Sequence, residues 1–108
     1  MEIELAVVPD CPNADAARNV LRQALAEIGL DGSAVVTRTV RSEAEAREIG
    51  FVGSPSIRLN GRDPFVEPGQ QVSLSCRMYR TAAGVRGVPE AEAVRQALRD
   101  AARIAGAP

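Results

Sequence analysis

At 108 residues and 45% hydrophobic content, the chain has the size of one domain with a single core and no room for a second. Its 13 basic residues, all arginine, nearly balance 14 acidic ones without forming a dense block, and Phe51, Phe65 and Tyr79 are too scattered for base stacking, which argues against nucleic acid as a partner. The absence of histidine removes any Ser-His or Cys-His nucleophile pair and any histidine-bound zinc, and the absence of lysine removes Schiff-base and P-loop chemistry, so the reactive groups that remain are chiefly two thiols.

Residues 2 to 8 alternate, with Ile3, Leu5 and Val7 on one side and Glu2, Glu4 and Ala6 on the other, which predicts a first β-strand. After Asp10-Cys11-Pro12-Asn13, the apolar residues Ala17, Val20, Leu21, Ala24, Leu25 and Ile28 recur every three or four positions as far as Gly29, the pattern of an amphipathic helix. Gly32-Ser33 then turns the chain into Ala34 to Val40, a β-branched run suited to a second strand reached by a right-handed crossover. Ser42-Glu43-Ala44-Glu45 matches a capping box and starts a short helix that stops at Gly50.

Gly53-Ser54-Pro55 opens a third strand over Ser56 to Leu59, and Asn60-Gly61 predicts a tight hairpin turn into a fourth strand near Arg62 to Val66. Residues 67 to 88 read as a long loop, broken at Pro68-Gly69 and Gly84 to Gly87, with one extended stretch at Leu74 to Arg80. The loop is a candidate for covering the site or for a contact in a homodimer. Pro89 fits the first position of a last helix, with Ala93, Val94, Ala97, Leu98 and Ala101 as its buried stripe and a frayed tail after Ile104.

The order β-α-β-α-β-β-α, the Cys11-Pro12 corner and the Ser54-Pro55 strand start together resemble the thioredoxin fold, over nearly the whole chain apart from residues 67 to 88. Within it, the Cys-Pro corner, the Gly-Ser-Pro strand start and the Ser-Leu-Ser-Cys-Arg segment are similar to small bacterial proteins filed loosely as thioredoxin-family or alkylmercury-lyase-like. The resemblance implies a single α/β domain over residues 1–108, with a mixed sheet, helices on both faces and an atypical insertion at 67–88. It implies a cis Ser54-Pro55 bond opposite the active-site thiol, with Ser54 leaving its backbone free to pair with an extended substrate. It also departs from dithiol thioredoxins, because the position three residues after Cys11 is Ala14.

Placed at a helix N-terminus, Cys11 would meet unpaired amides and the positive end of the dipole, which favour thiolate over thiol, while the Asp10 carboxylate opposes it. Pro12 suits that corner because a first-turn residue needs no amide to donate. The plainer alternative for Cys11 is an inert half-buried thiol. Cys76 admits three readings, as a buried apolar residue, a resolving thiol for Cys11, or a second thiolate for a soft metal such as mercury.

Organomercurial lyase, with two cysteines and an aspartate, invites a comparison with Cys11, Cys76 and Asp15, although acidic residues are common in first turns and the chain lacks that enzyme's extra N-terminal domain. Arg77, Arg80 and Arg86 are candidates for holding an anion, against the ordinary fate of a solvated loop arginine. The expected function is thiol-disulfide redox chemistry centred on Cys11, monothiol or paired with Cys76, acting on a protein or small-molecule thiol or disulfide without a cofactor. The alternatives are a soft-metal or mercury-binding thiol protein and a non-catalytic thioredoxin-like scaffold. A first strand beginning almost at Met1 and the lack of a long apolar run lead to the expectation of a cytoplasmic protein without a membrane segment.

Overall fold

A computed structural model describes residues 1–105. Its elements in chain order are β1 (Ile3–Val7), α1 (Ala14–Glu27), β2 (Val36–Thr39), α2 (Glu43–Ile49), β3 (Ser56–Leu59), β4 (Tyr79–Thr81), β5 (Gly84–Arg86) and α3 (Ala91–Ala105). The main sheet is mixed and has the order β2-β1-β3. In it β1 runs parallel to β2, with Glu4 opposite Val36, and antiparallel to β3, with Ile3 opposite Leu59 and Ala6 opposite Ser56. Strands β4 and β5 form a separate antiparallel hairpin.

The alternation in β1 divides the molecule into layers. Ile3, Leu5 and Val7 point to one face, where they pack with Ala17, Leu21, Ala24 and Leu25 of α1, Val94 and Leu98 of α3, and Ile57 and Leu59 of β3. Ala6 points the other way into a smaller cluster with Val40, Ala46 of α2 and Phe51. The sheet is therefore covered by α1 and α3 on one side and α2 on the other. Burying a leucine of this kind is worth about 1.5–3 kcal/mol. A partly exposed ion pair, Arg95 Nη1 donating to Glu27 Oε1 at 2.9 Å, fastens α3 to the end of α1.

Helix α2 is set by its ends. Ser42 Oγ accepts from the Glu45 amide at 3.1 Å, while the Glu45 carboxylate accepts from the Arg41 amide at 3.4 Å, so the box closes one residue early. Gly50, at φ 68°, turns the chain left-handed, and the Phe51 amide reaches back to the Ala46 carbonyl at 2.8 Å, carrying its ring into the core.

Three expectations are corrected. Asn60 (φ 53°) and Gly61 (φ 79°) make the expected tight turn, and Leu59 and Arg62 exchange backbone hydrogen bonds of 2.7 and 3.0 Å, but Arg62 to Val66 forms no strand. The Asp63 carboxylate accepts from the Phe65 amide at 2.8 Å, bending the chain, and Pro64 has no amide for a ladder. The last helix begins at Ala91, not Pro89, because the Glu90 carbonyl takes the first helical bond from Val94 and the Glu90 carboxylate is drawn to the Ala82 amide in the β4–β5 turn. Ala93, expected in the buried stripe, is exposed.

The long loop is partly self-contained. Gln70 donates its amide to the Glu67 carbonyl at 3.1 Å and accepts the Glu67 amide on its side chain at 2.8 Å, closing a turn. Past it, Val72 joins the Phe51 cluster and the Ser73 amide donates to the Phe51 carbonyl at 3.1 Å. Ile104 and Ala105 continue α3, and the rest of the tail expected to fray lies outside the described residues. No helix among the described residues is long and apolar enough to cross a membrane.

Candidate functional site

Strand β1 delivers the first thiol. Beyond Val7 the chain turns through Pro9 and Asp10, the latter at φ 58°, a conformation aspartate tolerates better than most residues. Cys11 follows, half-buried against the core shared by α1 and α3, and its carbonyl accepts from the Ala14 amide at 3.3 Å. Pro12 is exposed and, contrary to the first-turn expectation, lies before the helix, because Asn13 is the N-cap of α1; Asn13 makes no side-chain capping hydrogen bond. Asp15 pairs with Arg18 at 2.8 Å, its side chain 93% exposed.

The Ser54-Pro55 bond is cis. Ser54 does not offer a free backbone, and that expectation is corrected. Its amide donates to the Ser75 carbonyl and its carbonyl accepts from the Arg77 amide, both at 2.9 Å, so the chain's own segment 75–77 fills the position. The residue facing Ser54 in this parallel bridge is Cys76. Ser54 is also tied to the other cysteine's loop, since its Oγ accepts from the Val8 amide at 3.0 Å, immediately before the turn to Cys11. Cys76 is exposed, which rules out its reading as a buried apolar residue, and both thiols are free.

Beneath Cys76 lies a polar cluster that the sequence pattern does not announce. Arg77 is 2% exposed, and its guanidinium forms a two-pronged ion pair with Asp63 and donates to Ser56 Oγ at 2.9 Å. It also lies over the Tyr79 ring, 4.6 Å from the centroid. Ser56 Oγ in turn donates to the Gly53 carbonyl at 2.6 Å, and the Tyr79 hydroxyl donates to the Pro55 carbonyl. Gly53, at φ 139°, allows the approach, for a Cβ there would stand 3.0 Å from Arg77 Cβ. Only the Asp63-Pro64 turn signal and the Gly53 breaker hint at this cluster in the sequence.

Arg77 is therefore committed to Asp63, Arg80 pairs with Glu67 at 3.3 Å on the surface, and Arg86 Nη1 donates to the Val85 carbonyl at 3.0 Å. The three arginines go to separate partners, so the anion-holding reading is not supported by their placement.

Burial pushes the Tyr79 phenol well above its ordinary range, with Arg77 acting in the opposite, lowering direction. A phenol whose folded-state value exceeds its unfolded one stabilises the fold fully below pH about 10 and loses that contribution as pH rises further. Tyr79 is the single tyrosine, so tyrosinate absorbance reports on it alone. In an alkaline titration that absorbance is expected to rise together with loss of far-ultraviolet circular dichroism. A rise near pH 10 with the fold intact would contradict the buried, hydrogen-bonded phenol.

A groove of about 790 Å³ lies between α3 and residues 59–65, floored by Leu59, Phe65, Ala97 and Ala101. Neither cysteine lines it. Among the described residues no group of three or more Asp, Glu, Cys or His side chains is arranged to hold a metal ion. No family model matches the chain, and searches of curated proteins and of solved structures likewise give no significant match.

Proposed function

We propose that the chain is a thioredoxin-like thiol-disulfide redox protein in which Cys11 is the attacking thiol and Cys76 the resolving one. The observation that carries this reading is the position of Ser54, which is bonded to the loop leading into Cys11 through its side chain and to the segment bearing Cys76 through its backbone. The β2-β1-β3 core with helices on both faces and the cis Ser54-Pro55 bond support the fold family, from which the chain departs in having no fourth strand over Arg62 to Val66.

In the proposed reaction the Cys11 thiolate attacks one sulfur of a partner disulfide, forming a mixed disulfide and releasing the partner's second sulfur as a thiolate that takes up a proton. The Cys76 thiolate then attacks Cys11 Sγ, expelling the partner's first sulfur, which is protonated in turn. The partner gains two electrons and two protons and leaves as a dithiol, and the protein is left with a Cys11–Cys76 disulfide.

Reduction of an insulin-type disulfide with dithiothreitol as the final reductant tests the reading. Cys11→Ser is expected to bring the rate to that of dithiothreitol alone, and Cys76→Ser to accumulate a mixed disulfide visible by intact mass. Wild-type turnover that survives in Cys11→Ser would overturn it.

A further inference from the structure

The residue beside Cys76 is held far more firmly than a loop arginine needs to be. Both peptide groups flanking Cys76 are fixed to Ser54, one through the Ser75 carbonyl and the other through the Arg77 amide. The Arg77 side chain then passes Gly53 and is gripped by Asp63 and Ser56 with the Tyr79 ring beneath it, while Tyr79 itself is tied to the Pro55 carbonyl. As a source of stability this is a poor arrangement: a buried ion pair largely repays its own desolvation, and apolar side chains of the same volume often serve as well or better. Arg77 Nε, buried and without a hydrogen-bond partner among the described residues, adds a further cost. What such a cluster supplies that an apolar plug does not is direction, since each bond fixes an angle as well as a distance.

We infer that Arg77, locked by Asp63 and Ser56, is a positioning residue that holds the Cys76 thiol against the Cys11 loop and so sets its effective concentration toward Cys11. The inference rests on the redox reading above. In a parallel bridge the paired residues project to the same side, so the Cys76 side chain stands on the side of Ser54 whose Oγ meets the Val8 amide, on the approach to Cys11. With both neighbouring peptides pinned, the thiol is left with little beyond its own side-chain rotation, and a pre-ordered thiol closes a disulfide with less loss of freedom.

The test is the equilibrium of the Cys11–Cys76 disulfide with reduced and oxidised glutathione, read by mass after acid quenching, in wild type, Asp63→Asn and Ser56→Ala. The effective concentration of the pair is expected to fall about 10-fold or more in Asp63→Asn and by less in Ser56→Ala. The alkylation rate of Cys11, measured in the Cys76→Ser background with and without Asp63→Asn, should stay the same. Ser56→Ala keeps the buried charges paired and serves if Asp63→Asn does not fold. A lowered unfolding midpoint with an unchanged disulfide equilibrium would show the cluster to be a plain structural tie and overturn the inference alone. A wild type that forms only glutathione adducts, and never the internal disulfide, would overturn both the inference and the pairing of Cys11 with Cys76.

Discussion

Asp63→Ala is expected to destabilise the protein by about 3–5 kcal/mol, because it leaves the buried Arg77 guanidinium without its counter-charge. Native domains of this kind hold only about 5–15 kcal/mol in total, so such a loss would be evident in urea unfolding as a large fall in midpoint. The size of the effect comes from burial. The Arg77 side chain is 1% exposed and that of Asp63 7%, whereas a pair such as Arg47–Glu43, mostly in water, is worth at most about 1 kcal/mol. Adding Arg77→Met to Asp63→Ala should recover much of the loss, since the second change removes the stranded charge. If instead Asp63→Ala costs under about 1 kcal/mol, the charge has escaped to solvent by local opening, and the amides of Ser54 and Arg77 would then exchange rapidly with solvent.

Leu21→Ala should cost about 2–5 kcal/mol and lower Tm by on the order of 10 °C or more. Leu21 has no solvent exposure and lies in the layer shared by α1, α3 and the inward face of β1, with Val94 and Leu98 in the same cluster. Deleting its isobutyl group removes both its transfer free energy and the contacts of its neighbours, and two helices that meet mainly through such contacts have few ways to close the gap. Thermal unfolding followed by circular dichroism measures it. A change under about 1 kcal/mol would mean that α1 and α3 do not share this core. The two variants also differ in where they act, since the Leu21 site belongs to the main core and the Asp63 site to the junction that carries Cys76.

That difference matches what could be read in the sequence. Strands β1 and β3 and helices α1 and α2 follow from local pattern: period two in Ile3, Leu5 and Val7, period 3.6 from Ala17 to Ile28, a serine cap at Ser42 and a left-handed stop at Gly50. Each of these depends on residues within a turn or two of one another. The Asp63–Arg77 pair joins residues 14 positions apart, and nothing in a list of charges says which arginine will abandon water. Arg77 reads like Arg80 and Arg86 until its partner is known. The fourth strand failed for a related reason, because Asn60-Gly61 signals a turn correctly but the strand after it depends on Pro64 and on Asp63 bonding to Phe65. The Cys11 corner and the cis Ser54-Pro55 bond were legible through resemblance, whereas the occupation of Ser54 by the chain's own residues was not.

The Glu67–Gln70 turn gives the protein an evolutionary degree of freedom. It is closed by its own hydrogen bonds, and the register of β1 against β2 and β3 involves none of its residues. Chain can therefore be added or deleted between Glu67 and Gln71 at an entropic cost that rises only logarithmically, about 0.6 kcal/mol for each doubling of loop length. Length variation in sequence relatives of this chain should accordingly concentrate there, while the spacing from Ser73 through Tyr79, which carries Cys76 to Ser54 and Arg77 to Asp63, stays constant.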